Sequence, residues 1–428
     1  MAVADPVDVV VVGAGPAGIA AAGAAGATGR SVLLVDRRPR LGGNVWYPES
    51  GSAPAPETAA SLRGLERPNV RVVTGAEVVD RPRASTLLVT EGERAWEVGY
   101  GRLVLATGAR ERFLPFPGWT LPNVTGVGAL QLLAKAGLPV RGRSVVVAGS
   151  GPLLFAAAAY LVEKGARIRL VAEQSSRARV WRLAAGLVGD RTRWRQALDL
   201  RRRLQGIPYH TGCWPVRAEG EGRVQRVVLR KGKREWSEEC DLLACGFHLV
   251  PNTDLAELLG CRLVDGFVSV GPFQETSVPG TFAAGEPVGI GGLELAQVEG
   301  EIAGLAAVGR RDRATELFDL RRRLARFRGA LDRAFALAPP LRGLATPETI
   351  VCRCEDVRAG ALSSFQSGRE ARLQTRCGMG RCQARVCGPA TEFLWGWTPR
   401  GARPPLAPAT VGQLTLQDGP EPNPTRTI

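Results

Sequence analysis

The chain contains nine cysteines, and their distribution is the first sign of chemistry in the sequence. Five of them fall within 36 residues near the C-terminus: Cys352, Cys354, Cys377, Cys382 and Cys387. In a reducing compartment, clustered cysteines are more often metal ligands or redox groups than structural disulfides. The only two histidines, His210 and His248, lie in no motif, so a histidine-rich metal site and Ser-His-Asp catalysis are nearly excluded. We therefore predict a cysteine-ligated centre near the C-terminus.

Two kinds of centre compete for these cysteines: a structural zinc ion with four cysteine ligands and a [2Fe-2S] cluster held by four thiolates. Zinc-binding pairs are usually separated by two to four residues, whereas a single residue separates Cys352 from Cys354. Gly378 and Gly380 are small enough to let backbone N-H groups reach sulfur, which suits a cluster. The spacing of this pair argues against the usual zinc site, and the pattern leaves open which four of the five thiols bind.

A glycine-rich motif near the N-terminus indicates a second kind of chemistry. Residues 7–12 are apolar apart from Asp8 and predict a buried strand that runs into Gly13-Ala14-Gly15-Pro16-Ala17-Gly18 and then a helix. A second strand, 31–35, is closed by Asp36. In the β-α-β dinucleotide fingerprint the first glycine makes the tight turn, the second admits a pyrophosphate and the third packs helix on strand. Asp36 stands where a carboxylate binds ribose hydroxyls, so we predict a bound dinucleotide rather than an empty turn.

The same pattern recurs less perfectly in the middle of the chain. A strand at 144–148 leads into Gly149-Ser150-Gly151-Pro152-Leu153-Leu154, an alanine-rich helix and a strand at 168–172 closed by Glu173. Leu154 stands where the third glycine is expected, and a bulky residue there would hold the helix away from the strand or crowd a pyrophosphate. The residues therefore leave open whether this unit binds a ligand; if nicotinamide binds, Glu173 favours NADH over NADPH.

Other segments position these motifs. Strands are predicted at 103–105, before the Ala106-Thr107-Gly108 turn, and at 281–284, before Gly285-Glu286. Residues 310–337 predict one amphipathic surface helix, and Pro339-Pro340 ends it and begins a linker. Beyond the cysteines the chain is rich in proline and glycine and predicts an irregular tail.

Length and composition exclude several classes of protein. The 428 residues are 45% hydrophobic and 23% charged, as in a globular protein with more than one domain. The net charge of +15 comes from arginines spread along the chain without interleaved aromatics, which argues against nucleic-acid binding. The N-terminus has no basic region and no apolar run long enough to span a bilayer, so we expect a cytoplasmic protein without a transmembrane segment, and leave peripheral membrane association open.

Together, the two glycine motifs, Asp36, Leu41-Gly42-Gly43-Asn44, the Ala106-Thr107-Gly108 turn and Ala284-Gly285-Glu286 resemble the two-dinucleotide-domain flavoproteins of the pyridine nucleotide-disulfide oxidoreductase fold. The resemblance implies an α/β fold with two Rossmann-like domains, FAD in the first and NAD(H) or an adenine nucleotide in the inner one. It implies these cofactor-binding residues: Gly13, Gly15, Pro16, Ala17, Gly18, Asp36, Arg37, Gly43, Asn44, Val78, Ala106, Thr107, Gly108, Gly149, Gly151, Gly285 and Glu286. The cysteine pairs of the disulfide reductases are absent, so dithiol chemistry is unsupported.

The cysteine segment resembles the [2Fe-2S] domain of the bacterioferritin-associated-ferredoxin type. That resemblance implies Cys352, Cys354, Cys382 and Cys387 as ligands and Cys377 as the spare thiol. It completes the expected architecture. A discontinuous FAD domain (1–112 and 265–310) contains an inserted NAD(P)-binding-like domain (113–264). An amphipathic helix with linker (311–345), a small [2Fe-2S] domain (346–392) and a Pro/Gly-rich tail (393–428) follow.

The whole chain resembles the α (A) subunits of heteromeric amino-acid and opine dehydrogenases. The resemblance implies an electron-transfer subunit of a hetero-oligomer in which a partner flavoprotein subunit, similar to D-amino-acid oxidases, oxidises the amino acid, imino acid or opine, and in which a small ferredoxin-like subunit can also take part. No residue of this chain is identified as a catalytic acid or base. Two alternatives are an NADH-dependent FAD/[2Fe-2S] reductase and a nucleotide-binding scaffold subunit.

Overall fold

The computed structural model describes residues 4–49, 51, 53–186, 191–398 and 401–415. Its strands, in chain order, are β1 Ala4–Val12, β2 Val32–Asp36, β3 Val70–Thr74, β4 Ala76–Arg83, β5 Thr86–Glu91, β6 Arg94–Leu105, β7 Ala109–Glu111, β8 Val124–Thr125, β9 Ser144–Ser150, β10 Arg167–Glu173, β11 Tyr209–Thr211, β12 Cys213–Glu219, β13 Arg226–Lys231, β14 Arg234–Glu239, β15 Leu242–Phe247, β16 Leu249–Pro251, β17 Leu263–Val264, β18 Phe267–Val268, β19 Thr281–Ala283, β20 Ile350–Cys352 and β21 Val357–Arg358.

The α-helices are α1 Pro16–Gly26, α2 Pro56–Arg63, α3 Val127–Lys135, α4 Leu153–Glu163, α5 Arg177–Gly186, α6 Arg191–Arg203, α7 Asp254–Leu258, α8 Leu293–Ala307, α9 Arg311–Thr315, α10 Phe318–Phe335, α11 Gly368–Thr375, α12 Cys387–Trp395 and α13 Val411–Leu414. Short 3-10 helices lie at Glu286–Val288, Pro339–Gly343 and Gly360–Leu362. The chain divides into two compact units, residues 1–110 with 251–328 and 401–428, and residues 111–250 with 329–400.

The first unit is built on a seven-stranded sheet in the order β3-β2-β1-β6-β5-β4, with β19 also paired to β6. Strands β1, β2, β3, β6 and β19 run parallel, so their carboxyl ends meet at one edge. There Val12 lies opposite both Val35 and Leu105, and Ala283 lies opposite Leu105. The residues that follow these strands, which include the first glycine motif and Asp36, are thereby brought together at the ligand-binding edge of a Rossmann-like sheet.

Both faces of this sheet are buried, as the apolar run of β1 predicts. Val9 and Val11 belong to the core on one face, and Val10 belongs to the core on the other. On the first face, α8 lies very close to α1: a methyl group at Gly300 would come within 2.1 Å of the Ala17 carbonyl oxygen. The small residues of both helices therefore permit the packing that fixes the start of α1 over the sheet.

The second unit contains a five-stranded parallel sheet in the order β11-β10-β9-β15-β8 and an antiparallel sheet in the order β12-β13-β14. Gly149 lies opposite both Glu173 and Gly246, so the second glycine motif also begins at the carboxyl edge of its sheet. The cysteine segment belongs to this unit and has a small core of its own around Val351 and Leu362. The Trp119 indole donates to the Ile350 carbonyl at 2.6 Å and joins that segment to the remainder of the unit.

Several predicted boundaries differ from those observed. Residues 251–264, expected in the inserted domain, lie in the first unit because Leu255, Leu259 and Cys261 join the core beneath its sheet. The single helix expected at 310–337 is two helices, α9 and α10. The expected linker is packed, since Leu341 is fully buried, and part of the expected tail is ordered, since the Leu406 N-H donates to the Val79 carbonyl at 2.7 Å. Residues 416–428 of that tail lie outside the described residues.

Candidate functional site

The first glycine motif forms a cradle at the start of α1. Gly13 has a φ of +102°, and a methyl group on it would lie 2.2 Å from the Ala106 carbonyl oxygen. A methyl group on Gly18 would lie 1.7 Å from the Gly13 carbonyl oxygen, so this glycine sets the contact between helix and strand. A methyl group on Gly15 would meet nothing nearer than the Gly43 Cα at 4.0 Å. Gly15 thus leaves space for a ligand, whereas Gly13 and Gly18 lack a side chain because neighbouring backbone atoms occupy that position.

The space beside Gly15 faces the N-terminus of α1. Gly15 is the N-cap residue, no side chain caps the helix, and the first turn, which begins with Pro16 and Ala17, holds no acidic residue. The unsatisfied N-H groups and the helix dipole at such an end favour a phosphate group. The cradle therefore fits the pyrophosphate of a dinucleotide.

Asp36 connects this loop to the end of β2. Its carboxylate accepts hydrogen bonds from the Ala14 N-H at 2.5 Å and the Arg38 N-H at 2.7 Å, and the residue is 9% exposed. Each carboxylate oxygen can accept a second hydrogen bond, so both oxygens can still bind ribose hydroxyls. Arg37 instead forms an exposed ion pair with Glu77 at 3.8 Å.

Arg38, which the sequence patterns did not single out, closes the cradle next to Gly43 and Asn44. Its guanidinium donates to the Gly43 carbonyl at 3.2 Å and to the Asn44 side-chain oxygen, and burial lowers the pKa of Arg38. The Asn44 amide in turn donates to the Ala109 carbonyl at 3.4 Å. A half-buried cation thereby lies beside this glycine loop.

The Ala106-Thr107-Gly108 turn is fixed by Asn252, another residue that the sequence patterns missed. The Thr107 hydroxyl donates to the Asn252 carbonyl at 2.5 Å, and the Asn252 amide donates back to the Thr107 carbonyl at 2.9 Å. Val78, by contrast, lies on β4 with its side chain in the core. Its predicted role in cofactor binding can therefore involve only its backbone.

Two carboxyl groups follow the returning strand β19, the half-buried Glu286 and the buried Glu299. Glu286 lies close enough to the turn for its Oε2 to be 3.8 Å from a methyl group placed on Gly108, and burial raises its pKa. Glu299, on α8, accepts from the Gly285 N-H at 3.1 Å and lies 3.9 Å from the Arg328 guanidinium. Burial raises the pKa of Glu299 to about 7. Glu299 was not predicted, because it lies in the middle of a helix and outside any motif.

The inner unit preserves the same carboxylate-to-loop contact. Glu173 accepts from the Gly151 N-H and the Ser175 N-H, each at 2.8 Å, as Asp36 accepts from Ala14 and Arg38 in the first unit. Glu173 has no exposed surface, and burial raises its pKa to about 7. Leu154 does not disturb the sheet, because its side chain is accommodated in the core beneath α4.

The cysteine segment gathers its thiols at one point. The sulfur atoms of Cys352, Cys377 and Cys387 all lie within 4.8 Å of one another, and all three residues are buried. Cys387 and Cys354 both influence the pKa of the Cys382 thiol, which makes them its neighbours. All five thiols therefore lie in one group, and Cys377, expected to be the spare, is inside it.

This group has the properties of a metal-binding site. The Gly378 N-H donates to the Cys352 sulfur at 3.4 Å. The Cys387 thiol and burial raise the pKa of Cys382 to about 12. Mutual crowding of thiols without a cation disfavours their ionisation, whereas a bound metal would reverse that effect. The donor set fits an ion or cluster that prefers thiolate ligands.

Comparison with known proteins finds related proteins over most of the chain. Residues 7–301 match the family described as pyridine nucleotide-disulphide oxidoreductase. Hydrogen cyanide synthase subunit HcnB of Pseudomonas aeruginosa is 32% identical over 88% of this chain and 90% of that protein. The A subunit of opine oxidase from Rhizobium meliloti is 31% identical over 95% of this chain and 98% of that protein.

The solved structures support the fold. L-proline dehydrogenase from P. horikoshii aligns with a TM-score of 0.68 at 20% identity, covering 95% of this chain and 79% of that chain. The predicted fold class and the resemblance to subunits of opine oxidases and hydrogen cyanide synthases are thereby confirmed. Among the helices of the described residues, none has the length and apolar character of a membrane span. The chain belongs to the pyridine nucleotide-disulphide oxidoreductase family, an FAD-binding oxidoreductase family.

Proposed function

We propose that this chain is the FAD- and [2Fe-2S]-binding electron-transfer subunit of a heteromeric dehydrogenase that oxidises an amino acid, imino acid or opine. The observation that carries the proposal is that one chain holds both a dinucleotide cradle and a five-thiol group. Hydrogen cyanide synthase subunit HcnB and the A subunit of opine oxidase are similar to it over 88% and 95% of its length. FAD supplies two-electron chemistry when bound, and a [2Fe-2S] cluster exchanges single electrons. A chain with both cofactors suits the transfer of electrons away from a two-electron oxidation.

In this proposal the residues of the first unit bind and orient FAD. The α1 N-terminus beside Gly15 binds the pyrophosphate, Asp36 binds the ribose hydroxyls, and Arg38 contributes positive charge to the cradle. The turn containing Thr107 and the Gly285-Glu286 segment lie at the same edge of the sheet and extend the site away from the adenosine end. The remaining predicted positions, including Arg37, Gly43 and Asn44, stay assignments from the family resemblance.

For the cluster we propose the ligands Cys352, Cys354, Cys382 and Cys387. The proximity of Cys382 to Cys354 and Cys387 supports this set, and Cys352 lies in the buried group with Cys387 and Cys377. Cys377 is then a fifth thiol packed against the site. A zinc ion would use the same donors, so iron and acid-labile sulfide must be measured directly.

The substrate-oxidising subunit of the complex is proposed to be a separate flavoprotein similar to D-amino-acid oxidases, and a small ferredoxin-like chain is a further candidate partner. Within the described part of the chain, the carboxyl groups of Glu286 and Glu299 lie beside backbone turns of the first unit. We therefore give this chain a role in binding cofactors and moving electrons, and leave substrate deprotonation to the partner.

The test is an anaerobic visible spectrum of the purified chain with analysis of flavin, iron and sulfide, before and after addition of NADH. We expect bound FAD, about two irons and two sulfides per chain, and no reduction by NADH. Prompt bleaching of the flavin by NADH would favour the reductase alternative. Absence of flavin would contradict the proposed FAD, and absence of iron would contradict the proposed cluster. Absence of both would favour the alternative of a nucleotide-binding scaffold subunit.

A further inference from the structure

The inner glycine motif differs from the first one in what lies over its middle glycine. In a dinucleotide-binding unit the pyrophosphate lies there, at the start of the following helix. A methyl group placed on Gly15 would have only the backbone of Gly43 nearby, at 4.0 Å, and no side chain within that distance. A methyl group placed on Gly151 would lie at a similar distance, 3.9 Å, from the Cγ of the Phe335 ring, so the neighbour there is a bulky aromatic side chain. Phe335, the last residue of α10, is itself only 4% exposed.

Hydrogen bonds hold the backbone of Phe335 in this position. The Ser150 hydroxyl, which belongs to the glycine loop, donates to the Phe335 carbonyl at 2.9 Å. Ser150 is 5% exposed, so this bond is shielded from water. The loop therefore binds a carbonyl group of its own chain where a nucleotide-binding loop binds a phosphate oxygen.

The Gln174 side chain also forms hydrogen bonds with the backbone of Phe335 and of the residues after it. Its amide nitrogen lies 3.3 Å from the carbonyl oxygens of both Phe335 and Ala336, and its side-chain oxygen accepts from the Ala338 N-H at 3.0 Å. Arg179 adds a hydrogen bond to the Ala336 carbonyl at 3.0 Å. Gln174 is 2% exposed and follows directly after Glu173, the residue that would meet the adenosine ribose. Residues 335–338 thus run from the pyrophosphate position to the ribose position.

Glu173 is sealed beneath these contacts. Its carboxylate has no exposed surface, whereas Asp36 in the first unit is 9% exposed, and its oxygens bind the Gly151 and Ser175 N-H groups. A ribose hydroxyl could reach Glu173 only if the covering residues moved. The carboxylate that favours NADH in the sequence pattern is therefore a structural residue here.

We propose that residues 335–338 form an internal cover over the inner dinucleotide site and close it to NAD(H) and to adenine nucleotides. The inner unit then keeps the Rossmann-like fold but accepts no nicotinamide, and electrons do not enter the chain from NADH. A nucleotide could bind only to molecules in which the cover is open, and its apparent affinity falls in proportion to that fraction.

Binding measurements on the full chain with its FAD test the proposal. We expect neither NADH nor ATP to bind at up to about 1 mM, the upper end of ordinary substrate concentrations. Phe335→Ala and Gln174→Leu should each raise the affinity for one of these nucleotides at least about tenfold by opening the cover. Hydrogen exchange of the peptides around 149–151 and 335–338 locates the nucleotide in the inner unit rather than at the FAD cradle.

Gln413→Leu is the matched control, because Gln413 is also a buried amide, 7% exposed, that donates to a backbone carbonyl, that of Gly92. Gln413 and Gly92 both lie in the first unit, away from the inner glycine motif. If either opening variant fails to fold, Arg179→Ala, which alters an exposed side chain, supplies the same comparison. Binding of NADH or ATP to the inner unit of the unmodified chain would overturn the proposal. So would folded opening variants that bind no more tightly than Gln413→Leu.

Discussion

Replacement of Gly15 by alanine should remove FAD without unfolding the chain. Gly15 has φ −77° and ψ −178°, which alanine adopts without strain, and its added methyl group meets no protein atom within 4.0 Å other than Gly43 Cα. The expected loss in the free energy of unfolding of the cofactor-free chain is about 0.5–1 kcal/mol, since alanine is a poorer N-cap than glycine. The methyl group instead occupies the space that we assign to the pyrophosphate.

The effect on FAD follows from the hydrogen bonds that the methyl group would prevent. Two charge-assisted bonds from the start of α1, at roughly 1.5–3 kcal/mol each, amount to about 3–6 kcal/mol. That loss weakens FAD binding by roughly 10²- to 10⁴-fold. Titration of the cofactor-free chain with FAD, followed by quenching of flavin fluorescence, measures the dissociation constant, and thermal melting without FAD measures the cost to the fold.

Gly151→Ala is the matched control at the equivalent position of the inner unit. Gly151 has a φ of +99°, so alanine there is strained by roughly 1–2 kcal/mol and should lower the melting temperature while leaving FAD binding unchanged. An FAD dissociation constant for Gly15→Ala within about threefold of the unmodified value, a difference of well under 1 kcal/mol, would refute our placement of the pyrophosphate.

Three further predictions concern the thiol group and two buried contacts. Cys352→Ser should abolish bound iron and sulfide, whereas Cys377→Ala should retain both; loss of iron in Cys377→Ala would make that residue a ligand. Because burial raises the pKa of Glu299 to about 7, the folded state binds this proton more tightly than the unfolded state does. The protonated carboxyl therefore contributes its full share to the free energy of unfolding below about pH 4.5, and this contribution is lost as the pH rises through 7. Glu299→Gln should therefore flatten the pH dependence of unfolding by on the order of 2–3 kcal/mol between pH 4.5 and 8 in denaturant titrations, and an unchanged slope would contradict this. Trp119→Phe should cost about 1–3 kcal/mol by leaving the Ile350 carbonyl unsatisfied; unchanged melting and unchanged iron content would show that this bond does not support the cysteine segment.

Local sequence patterns were sufficient to predict the strand, loop and helix of the first glycine motif. The strand, the glycines and Asp36 lie within one β-α-β unit, so the chemistry of each residue is set by near neighbours along the chain. The confirmed fold class follows from two such units. The same short-range logic explains why five thiols within 36 residues could be recognised as one group.

The long-range contacts that complete the sites could not be predicted from local sequence patterns. Asn252 reaches Thr107 across 145 positions, and Gln174 reaches Phe335 across 161. Neither pairing leaves a periodic or spacing signal, because each depends on how separate segments pack. Leu341 illustrates the opposite error: two prolines correctly marked the end of a helix, but the segment after them is buried and is not a free linker.

The return of the chain to the first sheet has a consequence for its synthesis on the ribosome. Strand β19 pairs with residues 103–105 of β6 only after roughly 180 further residues have been made. At about 5–20 residues per second, this edge of β6 waits about 10 to 40 s for its partner. During that interval the apolar segment Leu103-Val104-Leu105 is an open strand edge, the kind of surface through which chains aggregate. Truncated forms that end before β19 should therefore be insoluble, and a chaperone that covers this edge during synthesis should favour production of the whole chain.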